Sequence, residues 1–157
     1  MKKITPFLWF EKSPEEAVNF YLSIFKNSKL ISRNNWAEGT PMPAGSMMSA
    51  TIDLEGQELI IFNAGPYFKF TEATSLFVNC DSQEEIDYFW EKLTADGGQP
   101  SKCGWLKDKF GLSWQIIPPV LGKLLGDKDS AKAKRVMQAM MKMDKIIIAD
   151  LEKAYNG

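Results

Sequence analysis

SLFVNCDSQEEIDYFWEKL, residues 75–93, echoes a stretch the chain has already given at residues 6–24, PFLWFEKSPEEAVNFYLSI. At a constant offset of 69, Pro6 meets Ser75 and Ser13 meets Ser82. Glu15 and Glu16 meet Glu84 and Glu85, and Phe20 and Tyr21 meet Phe89 and Trp90. The chain therefore reads as two copies of one module.

Each copy is a strand running into a helix. Residues 4–10 and 75–80 are short apolar runs rich in aromatic and branched side chains, of strand length and too short for a helix. A capping box follows each run, Ser13-Pro-Glu-Glu16 with Pro14 at the tolerated first helical position, and Ser82-Gln-Glu-Glu85. Beyond the boxes the apolar period changes: Ala17, Phe20, Tyr21, Ile24 and Phe25 fall on one helical face, as do Ile86, Phe89, Trp90 and Leu93. Asp96-Gly97-Gly98 ends the second helix with residues that tolerate positive φ.

The rest of the module repeats at a different offset. Asp53-Leu-Glu-Gly56 and the run 57–62 align with Asp108-Lys-Phe-Gly111 and the run 112–117 at an offset of 55. The first copy thus holds 14 more residues, placed in the loop 37–47 with its Gly and Pro. Both stretches read as strand, tight turn at the glycine, and strand. The expected fold class is α+β: two βαβββ modules, about 1–66 and 72–119, within one domain of residues 1–119. The third strand is least regular in the second copy, around residues 99–107. Residues 120–157 form a C-terminal helical extension.

Composition fits an ordinary globular domain of 157 residues, with 45% apolar and 25% charged side chains. A net charge of -1 offers no footprint for nucleic acid. No apolar run is long enough to span a membrane, and residues 1–13 read as lacking the apolar core of a signal peptide. Cys80 and Cys103 make no disulfide framework, so a cytoplasmic location is expected. Histidine is absent, which excludes Ser-His-Asp and Cys-His pairs, HExxH zinc chemistry and any imidazole base. Two cysteines alone do not make a structural zinc site. The chain has no GxGxxG and no P-loop, because Gly97-Gly98 follows a helix instead of opening one.

The paired modules resemble those of the vicinal oxygen chelate superfamily, which includes glyoxalases, extradiol dioxygenases and bleomycin-resistance proteins. EEAVNFY, GPYF, SQEEIDYFWEKL and above all CGWLKDKFGLSWQIIP are similar to the PhnB-like branch, whose members often carry the name demethylubiquinone methyltransferase domain. The similarity runs from about residue 4 to residue 119, and the tail AKRVMQAMMKMDKIIIADLEKAY resembles an extension in close relatives. The resemblance implies a glyoxalase-like fold with curled mixed sheets, and a divalent metal held by the first and last strands of both modules. Those places map to Pro6, Ile60, Ser75 and Gln115. Two lack a donor, Ser75 is a poor ligand and Gln115 offers one neutral oxygen, whereas metals of this kind take imidazole or several charged oxygens. The expected cofactor is therefore none, with a metal on Gln115, Ser75 and water as the alternative.

Strand parity adds Leu8, Phe62, Phe77 and Ser113 to the cleft-facing set and assigns Phe7, Trp9, Leu76, Val78, Trp114 and Ile116 to the face beneath the helices. A cleft of Leu8, Phe62 and Phe77, with Ser75, Ser113 and Gln115 as polar groups, has the make-up of a small-molecule pocket. Read as a strand, Cys103, Trp105 and Lys107 share a face. Trp105 either caps the pocket by stacking on a ligand or fills a gap between modules. Cys103 is a nucleophile only if Lys102 or Lys107 activates it, and is otherwise an inert thiol. Asp53 and Asp108 each precede a tight turn and read as turn-formers.

In the tail, residues 120–126 read as a linker. Residues 131–143 read as a helix with Val136, Met137, Met140 and Met141 on one side, and 145–155 as a second with Ile147, Leu151 and Tyr155 in register. The methionines either fill a core or form an adaptable surface over a ligand. Lys132, Lys134 and Arg135 read as a solvated basic face. Open sheet edges in such modules call for cover, and a homodimer is expected. Three functions follow: a binding protein holding a small aromatic or carbonyl-bearing metabolite, a metal-dependent lyase, isomerase or dioxygenase, and the methyl transfer of the family name. No complete catalytic or metal-ligand constellation is visible, so catalysis itself is left open.

Overall fold

In a computed structural model that describes residues 2–157, the described chain divides into two compact units, residues 2–70 and 71–157. The first runs β1 (Phe7–Trp9), α1 (Pro14–Ile24), β2 (Ser28–Asn35), β3 (Met47–Leu54) and β4 (Gln57–Phe62), with sheet order β1-β4-β3-β2. β1 lies parallel to β4, and the other pairings are antiparallel. Alternate residues of the two central strands, Ala50, Ile52, Leu54, Leu59 and Ile61, are buried, and α1 covers that side with Ala17, Val18, Tyr21 and Ile24. The loop expected to hold the first module's extra residues takes only part of them: 36–46 is longer than its counterpart 101–104, and β2 and β3 are longer than β6 and β7 as well.

The second unit repeats the plan: β5 (Ser75–Asn79), α2 (Gln83–Thr94), β6 (Gln99–Pro100), β7 (Trp105–Lys107) and β8 (Ser113–Ile117), in sheet order β5-β8-β7-β6. Ile86 and Leu93 of α2 are buried, as are Leu106, Trp114 and Ile116 of the sheet. Each unit is thus a βαβββ module with a four-stranded mixed sheet.

The two helix starts differ from the expected matching boxes. Ser82 Oγ accepts from the Glu85 amide at 3.2 Å, as a cap should, while Glu85 Oε2 accepts from the Asp81 amide, one residue earlier than expected. Ser13 is left-handed, with φ 52, and makes no side-chain cap bond. α1 relies instead on Pro14 and the first-turn Glu15 and Glu16. Asp96 (φ 55) and Gly97 (φ 109) turn the chain after α2 as read.

The tail holds three helices: α3 (Pro119–Leu125), α4 (Ser130–Met140) and α5 (Ile148–Asn156). Residues 120–126 are therefore not a linker, because Pro119 opens a helix whose Leu121 is buried against Val136, Ile146 and Leu151. Met140 and Met143 pack on this cluster, whereas Met137 and Met141 face outward, so the four methionines do not share one role. Arg135 is not merely solvated: its guanidinium donates to the carbonyls of Ala154 and Tyr155, satisfying the end of α5. The tail docks on its own second module. Gln83 of α2 donates to the Ile146 carbonyl at 3.1 Å and accepts from the Ile148 amide at 2.9 Å, and Lys145 pairs with Asp87 at 2.5 Å.

The two turn-forming aspartates are not equivalent. Asp53 Oδ1 accepts from the Gly56 amide. Asp108 is buried and accepts from the amides of Phe110 and Leu112 and, through Oδ2, from the Trp114 indole at 2.9 Å. Removing a carboxylate that satisfies three donors strands them in the interior. Asp108→Ala should destabilise the protein by about 3 kcal/mol, and Asp53→Ala by about 1 kcal/mol or less, in urea unfolding followed by circular dichroism. Equal losses would show that the additional buried bonds of Asp108 add nothing to an ordinary turn.

Candidate functional site

Each sheet has a face turned away from its helix, and the registers say which side chains stand there. In the first sheet Phe7 pairs with Ile60 and Trp9 with Phe62, so these four share the helix-free face together with Trp36, whose ring lies 6.4 Å from that of Phe62. Trp9 meets Phe62 at 4.8 Å and Phe68 at 5.0 Å, edge on, and its indole donates to the Gly65 carbonyl. Leu8 pairs with Ile61 and is buried on the helix side. The expectation that Leu8 joins Phe62 in the cleft, and that Phe7 and Trp9 lie in the core, is therefore corrected, since Phe7 is 55% exposed.

The cause is one residue. The Phe10 amide donates to the Phe62 carbonyl and the Cys80 amide to that of Ile117, so Phe10 and Cys80 hold equivalent places at an offset of 70. Two residues then separate Phe10 from Ser13, but only one separates Cys80 from Ser82. Left-handed Ser13 absorbs the surplus. A shift of one along a strand exchanges its faces.

In the second sheet the expected parity holds. Ser75 pairs with Ser113 and Phe77 with Gln115 on one side, while Trp105 pairs with Gln115 and Lys107 with Ser113 on the other. The helix-free face thus carries two rows across three strands, Ser75–Ser113–Lys107 and Phe77–Gln115–Trp105. Gln115 Nε2 donates to Ser75 Oγ at 2.9 Å, and Phe77 is 53% exposed. Trp114, the neighbour of both rows, points into the core as anticipated.

A pocket of about 520 Å³ opens in this unit, bounded by Trp105, Lys107 and Ser113 of the face, by Cys103 and Lys102 of the preceding turn, and by Glu72. Of the residues expected to line a pocket, Cys103, Trp105 and Ser113 do so, and Ser75, Phe77 and Gln115 stand on the same face. Cys103 is not in a strand. It occupies a left-handed turn, φ 58, whose amide donates to the Met143 carbonyl at 2.8 Å. Gly104 donates to the Asp144 carbonyl at 2.7 Å, and Lys102 pairs with the Asp144 carboxylate at 2.6 Å. The tail therefore holds this wall of the pocket. Glu72 forms an ion pair with Lys107, whose hydrogen bond holds the Glu72 carboxyl below the usual range. Ser113 Oγ is buried and has no hydrogen-bond partner among the described residues.

Glu72 was not singled out from sequence, because the loop before β5 has no periodic pattern. Phe7 and Trp9 were assigned to the opposite face through the one-residue shift, and Trp36 follows β2 in an irregular loop that carries no face pattern.

The places at which the resemblance implies a metal carry no carboxylate or imidazole. With the corrected strand offset the first-strand place moves from Pro6 to Thr5, giving Thr5, Ile60, Ser75 and Gln115: two hydroxyls, one amide and one aliphatic chain. A divalent ion takes charged oxygens or imidazole. Among the described residues no three Cys, Asp or Glu side chains gather as a metal site would require.

Two mixed four-stranded sheets of βαβββ order define a glyoxalase-like fold of the vicinal oxygen chelate superfamily. Residues 2–117 match the model of the 3-demethylubiquinone-9 3-methyltransferase family. A PhnB protein of Bacillus cereus, described under that methyltransferase name, is 40% identical, with a TM-score of 0.68 over 74% of this chain and 99% of that one. The chain belongs to this PhnB-like family. Protein PA1353 of Pseudomonas aeruginosa (22% identity, TM-score 0.62, 75% and 98% of the chains) shares the fold. So does the fosfomycin resistance protein FosX of Listeria monocytogenes (16%, 0.59, 80% and 98%). No curated protein matches the chain in sequence.

The two thiols are chemically unequal. Burial, followed by the nearby Glu85 and Asp81 carboxylates, pushes the Cys80 thiol up to about 12, while Cys103 is half-buried at the pocket. A thiol needs its anion to react. Iodoacetamide at pH 8 should modify one thiol in the folded protein, mapped to Cys103 by peptide mass, and both in urea. Labelling of Cys80 in the folded state would contradict this burial.

Proposed function

We propose that this chain binds a small organic molecule on the helix-free face of its second sheet, without the superfamily's metal. The buried Ser113 hydroxyl carries this reading: a polar atom with no partner among the described residues, at the wall of a pocket of about 520 Å³. That volume lies within the range of ligand pockets, about 300–1,000 Å³. Trp105 supplies a flat apolar wall, and Lys102, Lys107 and Ser113 supply the few polar groups that orient a ligand.

FosX has been crystallised with manganese(II), and a metal-dependent reaction is the competing reading. The donor set at Thr5, Ile60, Ser75 and Gln115 favours binding without one. The working unit is proposed to be a homodimer. The long edge strand β2, exposed along its length with Leu30 and Ile31 each 47% exposed, supports association through an edge. No helix among the described residues is long and apolar enough to cross a membrane.

A native mass spectrum of protein prepared without chelator or affinity metal should show a dimer of bare mass or one retaining an organic adduct. A stoichiometric metal would overturn the metal-free reading, and a monomer at micromolar concentration the dimer. The pocket is tested by amide chemical shifts during titration with a set of aromatic fragments. Shifts should centre on residues 102–107 and 113, and Trp105→Ala should weaken them about tenfold. Shifts confined to other regions would remove the proposal.

A further inference from the structure

The two rows on the second sheet separate two kinds of chemistry. Strands lie about 4.8 Å apart, and residues i and i+2 on one face are about 7 Å apart. Ser113 and Lys107 are direct cross-strand partners, so a buried hydroxyl and a lysine side chain leave neighbouring strands on the same face, with the ammonium carried out to Glu72. One step along the strands, Trp105 offers a planar surface beside the Gln115 amide. A cation and a hydroxyl next to a flat ring match a monoanionic, planar acid.

The free protein already places a carboxylate in the first of these subsites. Glu72, from the loop preceding β5, pairs with Lys107, and both residues line the pocket with Ser113 and Trp105. The Glu72 side chain is exposed, and an exposed ion pair contributes little to stability, so exchanging it for another carboxylate costs little. Lys102, the other cation of the pocket, pairs with Asp144 of the tail and does not belong to the Ser113–Lys107 row.

We infer that the ligand of this pocket is a planar conjugated carboxylate, whose acid group displaces Glu72 from Lys107 and takes the Ser113 hydroxyl while its ring lies on Trp105. The inference rests on the pocket proposed above and adds to it the class of ligand and the role of Glu72. Glu72 is a placeholder: it neutralises Lys107 in the free protein and withdraws when the ligand arrives.

The probes are 2-naphthoate and its neutral amide, 2-naphthamide, titrated at pH 7 into the full chain, with affinity read by calorimetry and location by amide shifts. The naphthoate should bind about tenfold more tightly than the amide, as expected for one charge-assisted contact. Lys107→Met should erase that preference. Glu72→Gln, an exposed change that leaves the fold intact, should tighten naphthoate binding about threefold or more and leave the amide unchanged. Equal binding of acid and amide in the pocket, or weaker naphthoate binding by Glu72→Gln, would overturn the inference while leaving the pocket standing. If neither probe shifts residues 102–107 or 113, both the inference and the pocket are refuted.

Discussion

Gly104 has no room for a β-carbon. One built there would lie 2.6 Å from Ile117 Cδ1, 2.9 Å from the Ile116 carbonyl and 3.1 Å from Ile146 Cγ1, and the residue sits at φ +82, where side chains are rarely tolerated. Its carbonyl accepts from the Ile116 amide of the sheet, and its amide donates to Asp144 of the tail. One backbone unit thus ties three layers together: the sheet strand, the pocket turn and the extension. A methyl group there must push against backbone on one side and against the Leu121, Val136, Ile146 and Leu151 cluster on the other. The shape of the second unit follows from this contact, because Cys103 and Lys102 take their places from the same turn.

The extension is therefore part of the module that bears the pocket, although the family match ends at residue 117 and the B. cereus protein aligns over only 74% of this chain. α3, α4 and α5 bury an apolar cluster that none could bury alone, and the segment between α4 and α5 carries the carbonyls that receive Cys103 and Gly104. Gln83 and Asp87, on the first two turns of α2, grip the same segment from the other side. The tail fixes the 102–104 turn in a left-handed form that points Cys103 and Lys102 at the pocket.

The repeat made most of this architecture legible. Local signals fix a helix by its cap and period and a hairpin by its glycine, and both recur at near-constant offsets, so the eight strands and two module helices could be ordered from residues alone. The face of β1 was not legible, for a definite reason. The helices align at 69 and the strands at 70, and the surplus residue hides in a turn where Ser13 looks like a helix cap. A serine before Pro-Glu-Glu signals a helix start equally well whether it is extended and capping or left-handed and filling a gap. Only the register distinguishes the two, and register is a non-local property.

The same limit explains what was seen of the site. The face of Ser113 and Gln115 was legible because β8 is pinned by the Asp108 turn, whose carboxylate fixes Phe110, Leu112 and the Trp114 ring in one stroke. Once Trp114 is forced inward, its neighbours Ser113 and Gln115 must face out, and Trp105 and Lys107 follow through their pairing with β8. Glu72 had no such anchor. It reaches Lys107 from an irregular loop, and its place is set by charge instead of by period. The pocket is thus built from two kinds of information: a face that the hydrophobic pattern dictates two residues at a time, and an ion pair that only the folded sheet brings within reach.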